Sequence, residues 1–346
     1  MKKVIFALAA VVALAACSKE QTVVMPEGNA IGFNTFVENS TRAAVDPSYS
    51  NTNLFENFRV YGFVEGAPLF KGTVVTGSGV GENANWGYEG TQYWIAGANY
   101  IFHAVAPVTT NMSNVAYTAA DGVSFNYTNV AGTEDMLYAY QTAQGQVSEN
   151  NAVAFTFDHI LSKVKFTFTN GYNATNATIK VKNVVITNAH NTAKVELNDE
   201  TVKWTVNADA IEAGVQFGSA ATQRVDGGAE ATAHALNSKY ESDYERFLIP
   251  SVTEYEYVVT FTVDLYINGT LIDVNEKEAE TGYEHTARVK FAPAAGQAYN
   301  ICTTINAENI DPNNEQEPIE FTVTGLNGWT NGGDKTATVD NNAQNN

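Results

Sequence analysis

Alternation with period two runs through nearly every patterned segment of this chain, and it restricts the fold more than any other feature. The clearest stretch is YEYVVTFTVDLYI, where Tyr255, Tyr257, Val259, Phe261, Val263, Leu265 and Ile267 share one parity. Glu256, Thr260, Thr262 and Asp264 take the other. Successive strand residues point to opposite faces, so the pattern predicts a strand with one face in a core and one face wet, as in an antiparallel sheet. Asn268-Gly269 follows, the pair favoured by type I′ hairpin turns, and TLIDV is the expected return strand. Val164, Phe166 and Phe168 alternate with Lys163, Lys165 and Thr167, and Val202, Trp204 and Val206 with Thr201, Lys203 and Thr205. No long stretch has helical periodicity, so the expected fold is all-β.

A chain of 346 residues fits two β-sandwich domains of ordinary size. The polar, aromatic-free stretch QTAQGQVSENNA, residues 141–152, is the expected division. The predicted organisation is a leader over 1–17, a tether over 18–28, sandwiches over 29–150 and 151–330, and a polar tail over 331–346.

The leader follows from its composition. Lys2 and Lys3 precede an unbroken apolar run from Val4 to Ala16, then Cys17, a pattern of secretory signals and too short to span a bilayer. Leu14-Ala15-Ala16-Cys17 resembles a bacterial lipobox, in which the cysteine becomes the amino terminus and is acylated, with palmitate among the acyl chains, so that the outer membrane is a partner through the lipid. The plainer alternative is a cleaved signal with an incidental cysteine. Net charge is −19, and loss of Lys2 and Lys3 makes it −21, which repels nucleic acid and anionic lipid. After Cys17 only Cys302 remains, so an intramolecular disulfide is excluded, and a buried inert thiol is the expected state of Cys302.

Candidates for chemistry are few. His103 lies within an apolar strand pattern and reads as a core histidine. His159 beside Asp158 reads as a strand-junction hydrogen-bonder, because adjacent strand residues face apart and make a poor acid–base pair. His190, His234 and His285 have no metal-ligand spacing. DPNNEQE (311–317) lacks the central glycine of a calcium loop, and NEKEAE (275–280) reads as a solvated arm. No enzyme, cofactor or metal is expected. Trp86, Tyr88, Tyr93 and Trp94 offer either core aromatics or a platform for glycans, the second reading being an unpolymerised lipoprotein that binds sugars.

Several segments in order carry a family resemblance: the lipobox, IGFNTFVENSTRA, YWIAGANYIFHAVAP, EDMLYAY, VAFTFDHILSKVKFTF, GQAYNICTTI and IEFTVTGLNGW. Together they resemble the fimbrillin family, pilin-like surface lipoproteins of Bacteroidota-type bacteria. The resemblance implies two transthyretin-like β-sandwiches, outer-membrane and fimbrium localisation, and association with other pilin subunits and with a host or bacterial surface ligand. It also implies donor-strand exchange after proteolysis between Arg42 and Ala43, releasing a first strand that contains Ile31, Phe33 and Val37. Arg42 is the only basic residue between Lys19 and Arg59. A solvated loop arginine in a lipoprotein that is never trimmed is the other reading of it. The segment after Trp329 has little apolar content beyond Ala337 and Val339, so it is a poor donor strand. Stalk, tip and anchor positions stay open.

Overall fold

The computed structural model describes residues 30–37, 56–78, 85–145, 152–172, 177–206, 212–217, 224–225, 239–242, 245–272, 283–310, 319–325 and 330–331. Among them the strands form four sheets, with one helical turn, α1 (Ala307–Ile310). The largest sheet has the order β1 (Gly32–Val37), β9 (Ala152–His159), β8 (Leu137–Gln144), β5 (Asn99–Ala106), β2 (Asn57–Val64), β3 (Ala67–Ser78) and β4 (Asn85–Tyr88). A smaller one has the order β13 (Thr201–Val206), β12 (Thr192–Asn198), β7 (Gly122–Thr128) and β6 (Met112–Thr118).

The third sheet places β10 (Ser162–Asn170) between β21 (Gln297–Ile305) and the short strands β16 (Lys239–Glu241) and β17 (Arg246–Leu248); β22 (Phe321–Gly325) and β23 (Thr330–Asn331) pair with β21. The fourth places β11 (Ala177–His190) between β18 (Tyr255–Ile267) and the strands β14 (Glu212–Gln216) and β15 (Arg224–Val225). On the far edge of β18 lie β19 (Thr270–Ile272) and β20 (Tyr283–Phe291). The fold is therefore all-β and layered as sandwiches.

Turn chemistry agrees with the sequence. Asn268 (φ 50°) and Gly269 (φ 78°) make the two-residue turn between β18 and β19, both in the left-handed region that a type I′ turn requires. Glu65 and Gly66 do the same between β2 and β3.

Three apolar clusters follow from the parity of the strands. The third and fourth sheets face each other over Phe166, Phe168, Val259, Phe261, Ile301 and Phe321. One face of the seven-stranded sheet encloses Phe33, Phe58, Phe70, Phe102, Phe155 and Phe157. Its other face packs Tyr61, Val105 and Tyr138 against Phe125 and Val195 of the four-stranded sheet, and Ile160, Phe247 and Ala298 join that cluster. Trp204 donates its indole N–H to the Ile160 carbonyl at 2.8 Å, and Asn129 donates to that of Phe247 at 2.8 Å, so the two halves are tied by hydrogen bonds as well as packing.

The strand pairing crosses the expected division of the chain. β9 pairs with β8 and β1, and β12 pairs with β7, although β9 and β12 follow residue 150. Polarity marks 141–152 as a connection, whereas strand pairing is decided by long-range parity that a local window does not contain.

Two faces predicted to be wet are covered in part. Asp264 is fully buried and accepts from Lys182 Nζ at 3.0 Å, with Thr262 buried beside them. Lys163 is likewise buried and pairs with Glu245 at 2.9 Å. Charge on one parity predicts solvent contact; here opposite charge nearby offsets its desolvation instead. Cys302 is half-buried rather than buried, because it lies on the outer parity of β21, with its sulfur 3.8 Å from Thr324 Oγ1.

Candidate functional site

The first strand occupies an edge with an unusual attachment. β1 runs parallel to β9, in register from Gly32 opposite Ala152 to Val37 opposite Phe157. All its ladder pairing is with β9. Toward the other side, β4 approaches through side chains and one short backbone tie. Ile31 N–H donates to Gln92 O at 2.8 Å, Ala30 bridges Tyr93, and the Tyr88 hydroxyl donates to Ile31 O at 2.8 Å while accepting from Gln92 N–H at 3.1 Å. Burial raises the Tyr88 pKa, which keeps the hydroxyl a neutral donor.

Alternation then aims Ile31, Phe33 and Thr35 into the aromatic core of the sheet. Phe33 is only 3% exposed and meets five rings, with centroids 5.5 Å away at Phe70 and Tyr88, 5.7 Å at Phe155, 6.1 Å at Phe58 and 6.3 Å at Phe102. Its ring stacks on Phe155 at 14°, while Phe58, Phe70 and Phe102 present edges. Without β1 these rings would line an open apolar slot bounded by the unpaired backbone of β9.

The fit is imperfect at one position. Thr35 is fully buried, and its hydroxyl has no hydrogen-bond partner among the described residues. An unsatisfied buried hydroxyl costs about 1–3 kcal/mol. Ile31 and Phe33 together contribute roughly 3–6 kcal/mol by burial. Ordering each backbone residue of the strand costs about 1–2 kcal/mol. Burial of two side chains does not by itself offset that cost, so β1 depends on its ladder with β9 and on its covalent attachment to the rest of the chain.

Of the expected site residues, Ile31, Phe33 and Val37 come together as this strand, with Val37 opposite Phe157. Cys17, Arg42 and Ala43 lie outside the described residues, as do residues 18–28, 275–280 and 332–346. The hydroxyl of Tyr88 was missed by sequence reading, since its role arises only where β4 meets β1 at the far edge of the sheet.

The other polar candidates serve the fold. His103 is buried and its Nδ1 lies 2.8 Å from the Tyr138 hydroxyl, which donates to Asp199 O at 2.7 Å. The hydroxyl therefore accepts from His103 Nδ1–H, and burial lowers the histidine pKa to about 4. His159 pairs with Asp135 at 2.5 Å rather than with its neighbour Asp158. Among the described residues no group of three His, Cys, Asp or Glu is placed to hold a metal ion. Trp86 packs edge-on against Phe58 at 5.1 Å and Trp94 against Tyr100 at 4.7 Å, so these aromatics and Tyr88 are turned into the core.

Several solved structures are similar to this chain at low identity. A Bacteroides eggerthii protein described as a candidate cell adhesion protein is 16% identical, with 88% of this chain and 98% of that one covered and a TM-score of 0.46. A fimbrial assembly protein of Parabacteroides distasonis is 12% identical, with 90% and 99% covered and a TM-score of 0.41. The fimbrial anchor protein Mfa2 of Porphyromonas gingivalis is 12% identical, with 87% and 98% covered and a TM-score of 0.36. No curated protein matches the sequence. Residues 41–325 match the fimbrillin-like family, and the chain belongs to that family.

Proposed function

We propose that the chain is a subunit of a surface fibre, exported as a lipoprotein through Cys17 and assembled when β1 is replaced by a strand of a neighbouring subunit. The observation that carries this reading is the edge position of β1: a strand paired on one side, with Phe33 in a cage of five rings and a poorly satisfied Thr35.

Cleavage after Arg42 is the natural trigger. While the chain is intact, β1 docks as a tethered segment at high effective concentration. A cut turns it into a separate peptide, which must bear about 4–15 kcal/mol more for lost translational and rotational freedom. That cost adds to the ordering of its backbone, so the strand leaves and takes the lipid with it. The vacated edge presents backbone donors and acceptors beside an apolar slot, the arrangement that β-augmentation uses. Membership of the fimbrillin-like family supports association with other subunits at the cell surface.

The test is Arg42→Gln in the full chain, expressed in its native export pathway. The reading predicts that SDS-resistant ladders of subunits disappear while the amount of protein at the surface is unchanged. Ladders of undiminished intensity in that variant refute it.

A further inference from the structure

The partner strand of β1 is itself loosely joined to the rest of its sheet. The β8–β9 ladder holds only at its base, where Leu137 faces His159 and Tyr138 faces Asp158, and Ile160 N–H donates to Met136 O at 2.9 Å. Beyond Tyr138 the ladder stops, although the two strands stay side by side. A cavity of about 280 Å³ fills the gap, lined by Trp94, Gln141, Thr142 and Ala143 on one side and Ala152 and Val153 on the other. Over that same length β9 is laddered to β1 alone, from Ala152 to Phe157.

Continuing the observed register would bring Ala139 opposite Phe157, Ala143 opposite Val153, and Gln144 opposite Ala152. The parity is already right. Ala139, Ala143, Val153, Phe155 and Phe157 all belong to the same enclosed cluster, so closure needs no side chain to change faces. Gln141 holds the place of a ladder bond: its Nε2 donates to Thr142 O at 3.1 Å. Alternation from the Ile160–Met136 bond aims that carbonyl at β9, where Ala154 N–H would take over from the side chain.

We propose that β9 has two positions: short of pairing with β8 and laddered to β1 in the intact chain, and zipped onto β8 along its full length once β1 has gone. The second position closes the cavity and pairs the backbone groups on the β8 edge of β9, while those on the β1 edge stay open for an incoming strand. It also widens the slot between β9 and β4, so that departure of β1 prepares the edge for an incoming strand. The inference rests on the reading that β1 is provisional, and the experiment separates the two.

Ala143 and Val153 fall in the non-hydrogen-bonded class of the continued ladder, where Cβ atoms approach most closely and a cross-strand disulfide is feasible. Ala143→Cys/Val153→Cys is placed in full-length protein carrying Cys302→Ser, with Gln141→Cys/Val153→Cys as the out-of-register control. Each pair is combined with native β1 and with Ile31→Ala/Phe33→Ala, which empties the slot without truncation. Disulfide formation under mild oxidation is followed by mass, and release of β1 by hydrogen exchange at residues 32–37. The expected result is at least tenfold faster cross-linking of the in-register pair when β1 is loosened, with the control pair unchanged. Fast exchange in β1 with no gain in cross-linking overturns the two-position strand and leaves the release of β1 standing. Equal gains in both pairs also overturn it, since they mean general loosening. Continued protection of β1 in the weakened variant overturns the provisional strand and this inference together.

Discussion

Phe33→Ala is the sharpest probe of how β1 is held. Replacing a buried Phe by Ala in a core typically costs about 3–5 kcal/mol, because burial is lost and a cavity remains. Here five rings touch the side chain, so the cavity has no small neighbour to fill it. The strand lies at an edge, however, and can relax outward, which puts the expected cost near the lower figure, about 3 kcal/mol. Because β1 is laddered to β9 on one side and tied on the other at its start, by Gln92, Tyr93 and the Tyr88 hydroxyl, that cost should fall on local opening rather than on global unfolding. At about 1.4 kcal/mol per tenfold, amide exchange along β1 should accelerate by about a hundredfold. Amides of β10 and β18, in the other sandwich, should keep their rates. Hydrogen exchange with peptide-level mass readout measures both. A less than threefold change in β1, or an equal acceleration across the N-terminal sheet, refutes the claim that this strand is separately and weakly held.

Other expectations bear on different parts of the fold. Thr35→Val removes the unsatisfied hydroxyl and should slow exchange in β1 several-fold, by about 1 kcal/mol, whereas a loss of protection would mean the hydroxyl is satisfied. Burial holds both His103 and His285 near a pKa of about 4 in the folded chain, below the ordinary value of 6.5. The unfolded chain therefore takes up protons first, so stability is full above pH 6.5 and falls toward pH 4, by roughly 3 kcal/mol for each histidine. Denaturant titrations between pH 7 and 5 should show that slope, and His103→Gln should remove its share. Lys182→Met leaves Asp264 buried without its cation and should cost about 3–5 kcal/mol, with Lys182→Met/Asp264→Leu recovering most of it in thermal unfolding.

The alternating parity of YEYVVTFTVDLYI and its Asn268-Gly269 turn made β18 and β19 legible from sequence, because both signals are local. The wet faces were not legible. Nothing near Asp264 in sequence announces Lys182, which reaches it across the β11–β18 ladder. The same limit explains why the chain division did not foresee β9 joining β8 and β1, or β12 joining β7. For the site, Ile31 and Phe33 were identifiable as one buried face, since parity alone places them. Their parallel pairing with β9, the clamp from Tyr88 and the unsatisfied Thr35 hydroxyl all depend on contacts between distant segments. The aromatics of NWGYEGTQYW show the ambiguity most clearly: a ring-rich stretch suits both a sugar platform and a core, and only the sheet that curls over Phe33 turns Tyr88 and Trp94 inward.

The central claim is that the first strand is a temporary occupant, removed together with the lipid when the subunit assembles. Intact mass of the protein recovered from assembled surface material reports both events at once. The account predicts an unacylated chain beginning at Ala43. A polymer in which every subunit still carries an acylated Cys17 would contradict it.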